Sequence, residues 1–221
     1  MSQYGIYDRM IRSFLPPNAE ISCLQQYGNQ PAILIADIDG DQEQEITAVY
    51  ELDNEPYMMI LKRNGTNWYR IFETKGRGKG VNDLWAAPIA RSNQLNLIIG
   101  WQADWNVSEL DIYHWTPYGF NRLIPDGMMY NRIEIEDMPG MYGRDGLCEI
   151  ALWNHDSQEA YRVETYRWQR AGLVQAVDVN PYYFPKVVTY YRALLLESPD
   201  EPLYRAYLDD ALLRSGHPTG F

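Results

Sequence analysis

Apolar residues recur along the chain with two periods, and these divide it. Ile6, Tyr7, Met10, Ile11, Phe14 and Leu15 lie on one face of a helix over residues 4–15, which Pro16-Pro17 ends. Ala19 to Leu24 reads as a short strand. From Ala32 onward the pattern becomes strand-like and repeats. Glu45-Ile-Thr-Ala-Val-Tyr50 aligns with Asn96-Leu-Ile-Ile-Gly-Trp101 and Glu149-Ile-Ala-Leu-Trp-Asn154, at steps of 51 and 53 residues. The hairpins that follow end on Gly65, Gly119 and Gly172, at steps of 54 and 53. Each unit then reads as four strands: 32–37, 45–52, 56–63 and 68–74; then 83–89, 96–103, 108–115 and 119–125; then 130–137, 148–154, 160–168 and 172–178. After Asn180 the helical period returns. Pro185 is placed to open a helix carrying Val187, Val188, Tyr191, Leu194 and Leu195 on one face. Asp200 is placed to cap a second, lined by Leu203, Tyr204, Tyr207, Leu208, Ala211 and Leu212, which Gly216 ends.

The predicted fold class is therefore mainly β: three four-stranded repeats of about 50 residues, an N-terminal helix and a C-terminal helical hairpin. Residues 1–24 hold the helix and short strand. Residues 25–180 hold the repeats, about 25–79, 80–129 and 130–180. Residues 181–221 hold the hairpin.

Composition narrows the function. Of 221 residues, 46% are hydrophobic and 14% aromatic, enough for a packed core and favouring strands. A net charge of −11 argues against nucleic acid and anionic membrane surfaces, which call for a basic footprint. No run approaches the roughly 18 apolar residues of a membrane span. Met1 to Leu15 lacks the apolar stretch of a signal peptide. Cys23 and Cys148 either pair or remain two thiols.

The candidate chemistry is concentrated in Ala36–Ile46, where Asp37, Asp39, Asp41, Glu43 and Glu45 alternate around Gly40. Carboxylates at this spacing can turn inward around one point, and hard oxygen donors suit Ca²⁺. Asp37, Asp39, Asp41 and Glu45 are the expected side-chain ligands, with the Glu43 carbonyl and water completing the shell. The same residues also make an acidic, solvated turn without a metal. The stretch resembles the FG-GAP or VCBS-type repeat of integrin-like β-propellers, whose blade signature reads D-x-D-G-D-x-x-x-[DE] before an apolar strand. Asp37, Asp39, Gly40, Asp41, Glu45 and Ile46 stand at its key positions. The resemblance implies propeller-like units and a structural calcium ion. In the second unit the corresponding stretch, Ala90 to Asn96, lacks acids. In the third, Asp137, Asp145 and Glu149 keep part of the pattern across a longer loop, a weaker second candidate. The last helix pair resembles a tetratricopeptide (TPR) unit, with Pro199, Leu208 and Gly216 in place but Arg205 and Asp209 departing from it. One pair alone makes no peptide-binding solenoid.

Other features have plainer explanations. Lys75-Gly-Arg-Gly-Lys-Gly80 reads as a flexible connector, since no Walker loop follows it. His155-Asp156 has no partner nucleophile in view. Leu61, Trp115 and Trp168, each four residues before a turn glycine, are expected to share one core environment. Trp101, Trp105 and Trp153 are placed nearer a ligand face. The expected function is a noncatalytic, calcium-stabilised binding or interaction module for another macromolecule, a protein or glycan, as a monomer or homodimer. A carbohydrate-binding, lectin-like module is the alternative and a hydrolase the remote one. The calcium loop points to an extracytoplasmic or cell-envelope setting, where weak sites fill.

Overall fold

The computed structural model describes residues 7–24, 27–170 and 172–216. It is mainly β, with 51% of residues in strands. The elements run α1 (Asp8–Arg12), β1 (Glu20–Ile21), β2 (Cys23–Leu24), β3 (Gln30–Pro31), β4 (Ile33–Ala36), β5 (Glu45–Leu52), β6 (Glu55–Asn64) and β7 (Asn67–Lys75). Then come β8 (Val81–Arg91), β9 (Gln94–Asp104), β10 (Val107–Thr116), β11 (Gly119–Arg122) and β12 (Met128–Tyr130). Last are β13 (Arg132–Glu136), β14 (Glu149–Ser157), β15 (Ala160–Gln169), β16 (Gly172–Gln175), α2 (Asn180–Glu197) and α3 (Pro202–Arg214). Three antiparallel sheets are meanders in chain order: β5-β6-β7 with β1 and β4 side by side along β5, then β8 to β11, then β13 to β16. Strands β2 and β3 make a small fourth sheet. The chain divides into two compact units, Met1–Met129 and Tyr130–Phe221, so the third sheet shares a unit with the two long helices.

In the first unit the period-2 alternation of β5 and β6 feeds two cores. Met58, Ile60 and Val49 face a core shared with Leu84, Leu97, Ile99 and Trp101 of the second sheet. Met59, Leu61, Ile46 and Ala48 face the opposite way, onto Ile11 with Tyr7, Met10 and Phe14 of the N-terminal segment. Both faces of the first sheet are therefore covered, which is why Glu45 to Tyr50 is buried without a break. Helix α1 is shorter than the 4–15 expected. Residues 4–6 lie outside the described residues, and Ser13 to Leu15 close the end as turns before Pro16-Pro17.

In the second unit α2 and α3 cover the third sheet through Ala151, Trp153, Val163, Phe184, Val187, Tyr191 and Ala211. Four tyrosine hydroxyls clamp the β14–β15 hairpin. Tyr190 donates to the Glu159 carbonyl at 2.6 Å, and Tyr191 donates to the Tyr161 carbonyl at 2.5 Å while accepting the Tyr161 N–H at 2.8 Å. Tyr204 accepts the Glu159 N–H at 3.3 Å, and Tyr207 donates to Asp156 at 2.6 Å. Helix α2 starts earlier than expected. Pro181 takes its first turn and Pro185 lies inside it, where it leaves the Pro181 carbonyl without the N–H four residues on. The cap of α3 is Glu201, not Asp200: its carboxylate accepts the Leu203 N–H at 3.4 Å, ahead of Pro202. Gly216, at φ +78°, ends the helix as expected.

Candidate metal centre

Strands β4 and β5 pair with Ala36 opposite Glu45, leaving residues 37–44 as the loop between them. Ile38 is fully buried in the first core and pins the loop, while Gly40 and Gln42 take positive φ values of +82° and +73°. Short acidic side chains then fold the backbone around themselves, the usual habit of Asp in turns. Asp37 accepts from Gly40 N–H at 2.7 Å and from Gln42 N–H at 2.9 Å. Asp39 accepts from Asp41 N–H at 3.3 Å, and Asp41 from Glu43 N–H at 2.9 Å. Glu45, with no exposed surface, accepts from the N–H groups of Ile38 at 2.9 Å and Asp39 at 3.4 Å.

The remaining oxygens meet at one place. Lys62 Nζ bonds Asp39 Oδ2, lies 2.7 Å from Asp41 Oδ2 and 3.1 Å from Glu45 Oε1. Lys62 stands on β6 beyond the Ile46–Leu61 pair, so sheet register delivers it across the strand from Glu45. Burial alone would lower the Lys62 pKa, but its bonds to Asp39, Asp41 and Glu45 outweigh that and raise it. The Lys62 bond holds the Asp41 carboxyl below its usual range. Burial pushes Glu45 up, against the bonds from Ile38 and Lys62.

Asp37, Asp39 and Glu45 bring ligand-capable oxygens within 4.8 Å of one another, the one such group of three among the described residues. Asp41 joins them through Lys62. Glu43 points elsewhere: its side chain is half exposed and lies 3.9 Å from Arg63. The donor set fits a hard divalent cation in kind, since Ca²⁺ takes carboxylate oxygens at about 2.3–2.6 Å. The ammonium already bonds Asp39, Asp41 and Glu45, though not Asp37, and a metal using those three together requires Lys62 to leave. Asp37, Asp39, Asp41 and Glu45 were legible as a constellation. Lys62 was not, and only the β5–β6 register points to it.

The same cross-strand device recurs in the other two sheets with different chemistry. Asn96, fully buried, accepts from the N–H groups of Ile89 at 3.1 Å and Ala90 at 2.9 Å, and its amide lies 3.4 Å from His114 Nδ1. Glu149 accepts the Met138 N–H at 2.9 Å and lies 3.2 Å from Arg167. Glu45 and Glu149 thus tie down the loop before their strands, Asn96 ties down the irregular end of β8, and Glu45, Glu149 and Asn96 face Lys62, Arg167 and His114 respectively. Asp137 and Asp145, the rest of the weaker second candidate, accept from Gly146 N–H and Leu147 N–H. Glu149 is committed to Arg167, which also meets Asp178 at 3.0 Å.

This register corrects the alignment by turn glycines. Gly65 lies inside its two-residue turn, whereas Gly119 and Gly172 are the strand residues paired with Thr116 and Gln169. Leu61 therefore corresponds to Tyr113 and Tyr166, each opposite Ile46, Leu97 and Ile150. Leu61 is fully buried, while Trp115 and Trp168 are only partly so and do not share its slot. Nor do Trp101 and Trp153 face a ligand: both are buried, with indole N–H groups on Asp111 and the Tyr183 hydroxyl, and Trp105 is 81% exposed.

The glycine-rich run is a pinned connector rather than a flexible one. Arg77 bonds Glu109 and the Pro125 carbonyl, and the N–H of Lys79 donates to Gln102 at 2.8 Å. A Cβ at Gly76 would strike the Trp101 ring, and one at Gly78 the Gln102 carbonyl. His155 bonds the Gln158 carbonyl within its own hairpin turn. Cys23 and Cys148 are both free, and burial with nearby acids pushes the Cys148 thiol up to about 11.

Beside the acidic loop lies a surface cavity of about 420 Å³. Asp41, Glu43, Lys62, Arg63, Tyr69 and Ile71 line it. Among the described residues no helix is long and apolar enough to cross a membrane. No protein-family model matches the chain, and no curated protein matches it.

Proposed function

We propose that the chain is a noncatalytic binding module built from three propeller-like repeats, with one structural Ca²⁺ site at the first loop. Asp37, Asp39, Asp41 and Glu45 would hold the ion, with the Glu43 carbonyl and water in support. The observation that carries this is the convergence of carboxylate oxygens from Asp39, Asp41 and Glu45 on a single cationic atom. A bound cation of this kind ties the end of β4 to the start of β5 and offsets repulsion among the acids. The recurring tie of Glu45, Asn96 and Glu149 to backbone N–H groups of the chain just before each strand supports a repeated unit. Of the described histidines, His114 lies against Asn96 and His155 bonds the Gln158 carbonyl.

The test is calorimetric titration with elemental analysis. One Ca²⁺ should bind per chain, Mg²⁺ should replace it poorly because it demands a tighter octahedron, and Asp39→Ala should abolish binding. No Ca²⁺ in the unmodified protein would overturn the proposal and leave an acidic turn closed by Lys62.

A glycan-binding role is the second possibility, favoured by the cavity beside the loop. Tyr69, 51% exposed, gives it one aromatic wall, and Asp41, Glu43 and Arg63 give it polar ones. A glycan array distinguishes this from a protein partner.

A further inference from the structure

We infer that Lys62 is a tethered competitor for the cation, closing the loop when no divalent ion is bound and setting the concentration at which one enters. The inference rests on the calcium site proposed above and concerns how that site is regulated.

Lys62 Nζ occupies the point where Asp39, Asp41 and Glu45 would together place an ion. It meets Asp39, Asp41 and Glu45 at once, and the side chains of Asp39 and Glu45 are 6% and 0% exposed. A metal cannot share that point with an ammonium. Binding is therefore an exchange, and its apparent affinity is the intrinsic one scaled by the fraction of molecules with Lys62 withdrawn. If that fraction is about one in a hundred, affinity falls about a hundredfold. Charge decides which ions can exchange. A monovalent ion brings no more charge than the ammonium it would replace, and it lacks the tether. A divalent ion brings twice the charge to the same carboxylates.

The displaced side chain has somewhere to go. Lys62 is 24% exposed and already lines the 420 Å³ cavity with Arg63, Asn64 and Tyr69. Ile71, the extra residue of a bulge where Ile60 pairs with Phe72 and Leu61 with Arg70, lines the same cavity. The third sheet shows the alternative outcome of the same slot. There Arg167 lies between Glu149 and Asp178, held by two acids rather than by a ring of ligands.

Two measurements test this. The first is Ca²⁺ titration of the unmodified chain against Lys62→Met and Lys62→Gln. The variants should bind Ca²⁺ at least about tenfold more tightly, because the competitor is gone. Equal or weaker binding in a folded variant overturns the competition while leaving the calcium site standing. Absence of Ca²⁺ binding in all three proteins overturns both.

The second measurement needs no variant, so it holds if the variants fail to fold. Amine acylation of Lys62 is followed by mass spectrometry, with Lys75 and Lys79 as internal references. Lys62 should be protected in EDTA and several-fold more reactive in saturating Ca²⁺, with K⁺ at the same ionic strength leaving it protected. Reactivity unchanged by bound Ca²⁺ would show that Lys62 does not leave, and the inference fails.

Discussion

A buried carboxylate is tolerated only when its oxygens are bonded, and Glu45 shows how completely that is met here. One oxygen takes two backbone N–H groups and the other takes Lys62. Glu45→Ala should cost about 3–5 kcal/mol, since it removes one partner of a buried pair and leaves loop N–H groups without an acceptor. Glu45→Gln should cost clearly less, because the carboxamide oxygen can still accept from Ile38 and Asp39, as Asn96 does in the second sheet. Urea unfolding of the two variants checks the order. His114 gives a pH test. Burial, then the Arg91 charge, lowers its pKa. The unfolded chain then binds the proton more readily, so the His114 contribution is intact above about pH 6.5 and is lost as pH falls below it. His114→Gln should flatten that part of the stability curve, and an unchanged curve would contradict it. The acids of the loop were legible because they lie within nine residues of one another. Lys62 was not, because its place depends on which residue of β6 stands opposite Glu45, a question of pairing that local spacing does not answer.

At the scale of elements, strand positions followed from hydrophobic alternation, and strand register did not. Glu45–Leu52 and its counterparts were readable because each carries a mostly apolar run that is buried without a break. Turn glycines misled because a glycine serves either inside a two-residue turn, as Gly65 does, or just after one, as Gly119 does. The two-residue offset kept every side chain on its proper face but paired Leu61 with Trp115 instead of Tyr113. The helical hairpin was legible from its apolar stripe, while its attachment through tyrosine hydroxyls was not. That attachment is testable. Tyr191→Phe removes the one hydroxyl that both donates to and accepts from Tyr161 backbone, leaving two polar groups without that partner. It should cost about 1–3 kcal/mol, the usual range for an orphaned buried group. Tyr207→Phe should cost less, since Asp156 is exposed and can turn to water. Equal effects would show that the clamp is not built as described.

At the scale of the whole chain, the two units keep separate cores: two in the first, one of which holds Trp101, and one in the second that holds Trp153. Trp153→Ala should cost about 3–5 kcal/mol, as buried aromatic truncations do. Hydrogen exchange should quicken in β14, β15, α2 and α3 while β5 and β6 keep their protection; equal loss in all of these would contradict the division. The cation loop belongs to the first unit, and its claim is the central one. Thermal unfolding of the unmodified chain and of Asp39→Ala, in EDTA and with Ca²⁺ restored, tests it most directly. Binding to the folded state alone adds about 2.7 kcal/mol at a hundredfold excess over Kd. At about 2–4 °C per kcal/mol for a chain of this size, Ca²⁺ should raise the melting temperature of the unmodified protein by several degrees and leave Asp39→Ala unmoved. A melting temperature indifferent to Ca²⁺ in the unmodified protein would contradict the account and leave an acidic turn closed by Lys62.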